Sequence, residues 1–152
     1  MKETTEIAGA RVARILLVED NPDDVEITRR SFERAKIGNP LSVVGDGQAA
    51  LDFLYRNCSE LGDPGVEMVL LDLGLPRLDG RAVMREIWAD KRLRHIPVII
   101  LTASARENDL IESYKGGAVA FLHKPVDVER LLTAIGDLQG YQLFIARVSS
   151  NA

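Results

Sequence analysis

The sequence predicts an α/β fold in which a five-stranded parallel sheet carries helices on both faces. Short apolar runs recur five times, and helix-length segments with apolar residues three to four positions apart separate them. The runs are continuously apolar, which is typical of strands buried on both faces. Strands that alternate with helices form parallel sheets, because a parallel pair needs a long crossover connection.

The predicted strands lie near residues 14–18, 41–45, 67–72, 97–101 and 119–123. The segments between them have the apolar spacing of amphipathic helices. The apolar positions are Val25, Phe32 and Ala35; Ala50, Phe53 and Leu54; Val83 and Ile87; and Val128, Leu131, Leu132, Ile135 and Leu138. Segment 106–116 is more polar and has the weakest helical pattern.

Capping residues mark the ends of several predicted helices. Asn21 is a good N-cap, and Pro22 after it suits the first helical position. The acids Asp23 and Asp24 complement the positive end of the helix dipole. Gly38 and Gly116-Gly117 lie where the helices before them are expected to stop.

Length and composition indicate one globular domain with its own core. The chain has 152 residues, of which 46% are hydrophobic and 28% charged, with a formal net charge of −4. No basic run is present, so nucleic-acid binding is not expected. The single cysteine, Cys58, excludes an internal disulfide and fits a reducing compartment. No stretch has the length of a membrane span, and we expect a cytoplasmic protein without membrane contact.

Three segments are expected along the chain: a flexible lead over residues 1–12, one domain over 13–139 and an extension over 140–152. The extension has an apolar stripe at helical spacing. The stripe consists of Tyr141, Phe144, Ile145 and Val148. It predicts a partner surface, either for a homodimer formed through the last helices and tail or for docking to another protein. The alternative is a tail that folds back onto its own sheet.

Chemically active side chains follow four of the predicted strands. Asp72 ends one apolar run and Glu19-Asp20 another, while Thr102 and Lys124 follow the last two. Because ligands bind at the carboxyl ends of parallel strands, we expect these groups to share one site. Taken alone, Glu19-Asp20 could be a solvated strand end and Thr102 a helix cap.

Three converging carboxylates repel each other unless a cation lies between them. Oxygen ligands favour magnesium (Mg2+) over softer metals. Asp72 could then act as a nucleophile toward a phosphoryl group, because carboxylates form acyl-phosphate intermediates. Lys124 would supply positive charge to the phosphoryl oxygens, and the Thr102 hydroxyl could donate to another of them.

Other kinds of site are poorly supported. The sequence has no glycine-rich phosphate loop. Dedicated zinc ligation is unsuitable because only His95, His123 and Cys58 are available, at the wrong spacing. We expect both histidines to be surface or sheet-edge residues and not relays. Trp88 is expected to be partly exposed. Arg77 and Arg81 are either solvated charges or contacts for a kinase.

Four stretches together resemble the receiver domain of two-component response regulators. They are residues 15–21, 70–80, 97–103 and 121–125, and the resemblance covers about 12–139. It implies a (βα)5 flavodoxin-like receiver fold. Each motif is weak by itself, but their combined spacing is highly specific.

The resemblance also implies a role for each residue of the site. Asp72 matches the phosphoacceptor, Asp20 a direct magnesium ligand and Glu19 an acid that reaches the metal through water. The further roles are a metal-ligating carbonyl at Gly74, a switch hydroxyl at Thr102, a phosphate-pairing amine at Lys124 and an aromatic switch at Phe121. Many relatives have Tyr at the last position. The Lys124-Pro125 bond is commonly cis in the family.

Residues 19–24, 46–54 and 93–98 are most similar to the stand-alone regulators paired with bacterial phytochromes. This implies a sensor histidine kinase of the bacteriophytochrome type as partner and a downstream protein target. The expected function is that of a single-domain response regulator, a phosphoacceptor and not a turnover enzyme. The first alternative is a receiver-like interaction module that works without phosphorylation. The second is a magnesium-dependent phosphatase, for which the sequence offers no general acid or base beside Asp72.

Overall fold

A five-stranded parallel sheet forms the centre of the structure, a computed structural model that describes residues 14–57, 65–72, 74, 80–102 and 120–136. The strands are β1 Ile15–Val18, β2 Leu41–Val44, β3 Met68–Asp72, β4 Val98–Thr102 and β5 Ala120–His123. The described helices are α1 Pro22–Arg34, α2 Gly47–Asn57, α3 Gly80–Ala89 and α4 Val128–Gly136. The predicted fold class is confirmed, and each strand lies within about a residue of its predicted position.

The strand order is β2-β1-β3-β4-β5, and every neighbouring pair is parallel. The chain builds outward from β1 to β2 and then returns to place β3 on the other side of β1. This reversal makes the β1–β3 junction the switch point of the sheet, where the connections leave toward opposite faces. The carboxyl ends of β1 and β3 are therefore the expected place for a ligand.

Alternate strand residues enter two separate cores, one on each face of the sheet. Leu16, Val69 and Ile100 belong to the core that contains residues of α2 and α3. Their neighbours Leu17 and Leu70 belong to the core that contains residues of α1 and α4. Because every residue of β1, β3 and β4 is buried, the continuous apolar runs of these three strands are explained by packing on both faces of the sheet.

The start of α1 follows its predicted capping. The Asn21 side chain accepts hydrogen bonds from the backbone N–H groups of Asp23 at 2.9 Å and Asp24 at 3.4 Å, and Pro22 opens the helix. These bonds satisfy two of the amides that a helix start leaves without an intrahelical partner. The cap fixes where the chain turns from β1 into α1, directly beside the end of β1.

The predicted stop at Gly38 is wrong, because α1 ends four residues earlier. Lys36 takes the left-handed conformation there, with φ of 57°. Its N–H donates to the Glu33 carbonyl, and the N–H of Ile37 donates to the Phe32 carbonyl at 2.9 Å. This is a Schellman ending. Burial of Ile37 beside Phe32 in one core sets the stop, so a lysine occupies the position that glycine usually takes.

Several predictions fall on residues outside the described ranges: the lead 1–12, Cys58, Arg77, the helix at 106–116, Gly116-Gly117 and the extension 140–152. Trp88 is 46% exposed, which confirms its expected partial exposure. Within the described part of the chain, none of the helices has the length and apolarity to cross a membrane. A cytoplasmic location stays a prediction, as do the domain boundaries.

Candidate functional site

Three carboxylates meet at the carboxyl ends of β1 and β3. Oxygen atoms of Glu19, Asp20 and Asp72 lie within 4.8 Å of one another. The strand register causes this, since β1 and β3 are paired up to Val18 and Leu71 and the acids directly follow these two residues. The backbone N–H of Glu19 also continues the ladder to β2, at 2.9 Å from the Val44 carbonyl. Glu19 and Asp72 are buried, at 3% and 5% exposed, whereas Asp20 is exposed.

Lys124 extends into this acidic cluster from the end of β5, which lies two strands from β3. Its Nζ lies 2.5 Å from Glu19 Oε1, 3.0 Å from Asp24 Oδ2 and 3.1 Å from Asp72 Oδ2. The residue follows β5, and its backbone N–H donates to the Thr102 carbonyl at 2.7 Å. The Lys124-Pro125 bond is cis, as the resemblance implied. The ammonium therefore stands against the carboxylate that the sequence marked as the nucleophile.

The pKa values of Glu19 and Lys124 are both raised in this cluster. Burial raises the pKa of Glu19 to about 7, and a hydrogen bond to Asp72 adds to this, while Lys124 opposes it. Burial lowers the pKa of Lys124, but hydrogen bonds to Glu19, Asp24 and Asp72 outweigh it and hold that pKa above its ordinary value. The Lys124 ammonium is thus charged at neutral pH. Burial makes the ionised form of the Glu19 carboxylate less favourable than it is in water.

These residues fit a hard divalent cation. The donors are all oxygens, two of them from buried carboxylates, which is the ligand chemistry that magnesium prefers. A cation at this position would also lower the pKa of Glu19 and so oppose the effect of burial. The described residues thus agree with the predicted magnesium site. Which of them bind the metal directly and which bind it through water stays a prediction.

Gly74 lies beside the acceptor carboxylate. Its backbone N–H donates to Asp72 Oδ1 at 3.0 Å. A Cβ atom at this position would stand 3.7 Å from Asp72 Oδ1 and 3.9 Å from Oδ2. A side chain here would therefore begin in contact with the carboxylate, whereas glycine leaves it open. The role of the Gly74 carbonyl as a metal ligand stays a prediction.

Thr102 and His123 are partners across the last two strands. They are paired in the β4–β5 register, and Thr102 Oγ1 lies 2.9 Å from His123 Nδ1. Thr102 is 1% exposed, while His123 is exposed on the edge strand. Phe121, two residues earlier, is partly buried against the core on the α2–α3 face. Its role as an aromatic switch stays a prediction.

The sequence reading missed two residues of this site. Asp24 was explained by the helix dipole, yet it accepts from Lys124, a residue one hundred positions away. His123 is at the sheet edge as expected, but it also holds the Thr102 hydroxyl. Their positions, four residues after Asp20 and directly before Lys124, place them near the site but do not indicate which groups they contact. The predicted groups Glu19, Asp20, Asp72 and Lys124 are brought together.

Residues 15–136 match the family model of the response regulator receiver domain. The chain belongs to this family. Receiver-domain response regulators accept a phosphoryl group, and the chain is a response regulator of this kind. Receiver domains bind magnesium at an acidic pocket, and this chain has a cluster of three carboxylates, from Glu19, Asp20 and Asp72.

Two relatives are similar in sequence to this chain over most of their own length. The probable methanogenesis regulatory protein FilR2 of Methanothrix harundinacea is 39% identical over 130 residues, which cover 85% of this chain and 83% of FilR2. Response regulator Rcp1 of Synechocystis is 34% identical over 129 residues, 85% of this chain and 88% of Rcp1.

Solved structures of response regulators have the same fold. The bacteriophytochrome response regulator AtBRR is 41% identical, with a TM-score of 0.74 over 89% of this chain and 98% of that one. The Mn2+-bound form of Rcp1 is 34% identical, with a TM-score of 0.64 over 86% of this chain and 98% of that one. The predicted resemblance to regulators of phytochrome kinases is confirmed.

Proposed function

We propose that Asp72 is the phosphoacceptor of this response regulator and that a sensor histidine kinase supplies the phosphoryl group. One observation carries this proposal. Asp72 is the carboxylate that belongs to the Glu19–Asp20 cluster and at the same time accepts from the Lys124 ammonium, at 3.1 Å. A nucleophile for phosphoryl transfer needs this combination of acids that can bind a cation and a fixed positive charge.

In the proposed reaction, an oxygen of Asp72 forms a bond to phosphorus while the bond between phosphorus and the kinase's histidine nitrogen breaks. The electron pair of that bond stays on the imidazole nitrogen, so no oxidant or reductant is needed. Lys124 places its charge against the phosphoryl oxygens, and its raised pKa keeps it protonated throughout. The Gly74 N–H holds the attacking carboxylate in position. Magnesium held by Glu19, Asp20, Asp72 and the Gly74 carbonyl supplies further positive charge to these oxygens when it is bound.

We further propose that the signal leaves the domain by protein contact. Thr102 and Lys124 move toward the new phosphoryl oxygens, and Phe121 follows into the space that this opens. Phosphorylation thereby acts as a local charge event that biases a bistable surface. The partial burial of Phe121 supports the proposal, because a half-buried ring can change its packing at small cost.

A bacteriophytochrome is proposed as the kinase. Support comes from AtBRR, a bacteriophytochrome response regulator at 41% identity, and from motif similarity along the chain. The rival, a module that works without phosphorylation, would bind the same partner whether or not residue 72 carries a phosphoryl group. Equal affinity of phosphorylated and unphosphorylated protein for the isolated kinase would favour that rival.

A homodimer through the last helices and the tail is proposed from the sequence stripe Tyr141, Phe144, Ile145 and Val148. The comparison is light scattering of the full chain and of a variant that ends at Gln139. A dimer mass for the full chain and a monomer mass for the shortened one is the expected result. Equal masses would remove the proposal.

The phosphoacceptor assignment is tested with phosphoramidate and magnesium, followed by intact-protein mass spectrometry. Wild type should gain the mass of one phosphoryl group, and Asp72→Asn should gain none. Asp52→Asn is the matched control, because Asp52 is an exposed acid of α2 that binds Gln48 and lies outside the cluster. Phosphorylation of Asp72→Asn at the wild-type rate would overturn the assignment.

A further inference from the structure

His123 links the buried Thr102 hydroxyl to the surface of the sheet. The imidazole is exposed on β5, the edge strand, while its Nδ1 lies 2.9 Å from an Oγ1 whose residue is 1% exposed. A buried hydroxyl without a hydrogen-bond partner costs stability, so this contact fixes where the Thr102 side chain rests. The register places the two residues directly opposite each other.

The bond competes with the proposed role of the hydroxyl. Thr102 donates to Nδ1 when the ring proton is on Nε2, and accepts from it when the proton is on Nδ1. In the first arrangement the single hydroxyl proton is already used, and a phosphoryl oxygen on Asp72 has nothing to accept from Thr102. Before Thr102 can donate to a phosphoryl oxygen, its hydroxyl must turn away from His123 or the ring must change its tautomer.

We propose that His123 is a positioning residue that holds the Thr102 hydroxyl in the unphosphorylated state and thereby sets the threshold for the switch. The inference rests on the proposed role of Asp72 and adds a regulatory residue to that site. The side-chain hydrogen bond of His123 is to Thr102, so its influence on the acceptor site would pass through that hydroxyl. Its ring offers the hydroxyl a partner that the phosphoryl group must displace.

The first test follows the ring nitrogens of His123 by NMR of protein labelled in histidine. Beryllofluoride with magnesium serves as the phosphoryl mimic. His95 is the internal control, because the chain has two histidines and His95 is exposed on another segment. The Nδ1 signal of His123 should shift on addition of the mimic, and the His95 signals should stay. A His123 signal that does not move would overturn the inference.

The second test compares two substitutions. His123→Val suits an edge strand but cannot bind the hydroxyl, whereas the side-chain oxygen of His123→Asn can take the place of Nδ1. His123→Val should bind beryllofluoride more tightly by roughly 2- to 10-fold, the worth of one hydrogen bond. His123→Asn should return to the wild-type affinity, and magnesium affinity without the mimic should be equal in all three proteins.

The outcomes separate the proposed role of His123 from the proposed role of Asp72 as phosphoacceptor. If wild type binds the mimic and both variants match it, His123 has no positioning role and Asp72 keeps its own. Equal tightening in both variants points to a loss of packing and also overturns the inference. If wild type fails to bind the mimic in magnesium, both proposals fail. Should His123→Val not fold, the His123 signal of wild type and the His123→Asn affinity decide.

Discussion

Lys124 contacts three carboxylates, and Asp24 is the one that belongs neither to the predicted metal ligands nor to the acceptor. It lies 3.0 Å from Nζ and is partly exposed, at 29%. An arriving phosphoryl group must compete with it for the ammonium. We therefore expect Asp24 to lower the availability of Lys124 before phosphorylation, and its negative charge beside this lysine to repel an anionic donor.

We predict that Asp24→Asn speeds phosphorylation by a small donor on the order of 2- to 10-fold, because it removes a competing acceptor and a repulsive charge. Asp23→Asn is the control: it makes the same charge change one position away, on an exposed side chain of the same helix turn. Rates are read by mass spectrometry over time. A slower Asp24→Asn, or equal acceleration in Asp23→Asn, would contradict the competition.

At the residue scale, sequence reasoning found the groups that follow strands and missed the groups that complete their contacts. Asp72 and Lys124 stand next to apolar runs, so their place at the sheet edge could be predicted. Asp24 had a sufficient local explanation in the dipole of α1, and nothing local indicates which ammonium it meets. Contacts between residues so distant along the chain depend on how helix and sheet pack.

Among the elements, α1 contributes to the site through its first turn, where Asp24 contacts Lys124. Its start is fixed by Asn21 beside the end of β1, and its stop by the burial of Ile37. The start was predicted because a cap and a proline are local signals. The stop was not, because a buried residue beyond the helix determined it. At this helix end Lys36 has a positive φ of 57°, a left-handed conformation that is unfavourable for a residue with a side chain.

We predict that Lys36→Gly increases the free energy of unfolding by about 0.5–1 kcal/mol. Glycine removes the roughly 1–2 kcal/mol cost of the left-handed conformation, and the greater freedom of the unfolded chain offsets part of the gain. Urea denaturation measures the change. Lys36→Ala, which loses the same charge and keeps the strain, should change stability by less than about 0.5 kcal/mol. Equal stabilisation by alanine would show that charge is the cause.

At the scale of the whole molecule, we expect folding and cation binding to be coupled. The fold brings Glu19, Asp20 and Asp72 together, so the folded state should bind a divalent cation better than the unfolded chain. Binding to the folded state alone stabilises it, by about 2.7 kcal/mol at a concentration one hundred times the dissociation constant. Without the cation, the same cluster is a source of repulsion.

We therefore predict that magnesium raises the melting temperature of wild type and that Asp20→Asn loses most of this increase. In buffer with a chelator, Asp20→Asn should melt at the wild-type temperature or above it, because one repelling charge is gone. Differential scanning fluorimetry is sufficient, and Asp52→Asn should keep the full magnesium effect. An Asp20→Asn protein with the wild-type increase would show that the cation binds elsewhere.

The fold as a whole was readable because its signals are periodic and repeated. Continuous apolar runs gave five strands, and burial on both faces explains them. The acidic edge followed from the rule that chain reversal opens a site between β1 and β3. The Thr102–His123 contact could not be read in this way, since it depends on a register that neither strand's sequence contains.

The most direct measurement locates the phosphoryl group itself. Borohydride reduces an aspartyl phosphate to homoserine, and peptide mass spectrometry identifies the converted position. After phosphorylation in magnesium, the account predicts homoserine at position 72, with none in the absence of the donor. Homoserine at Asp20 or another acid, with Asp72 unchanged, would contradict the central claim.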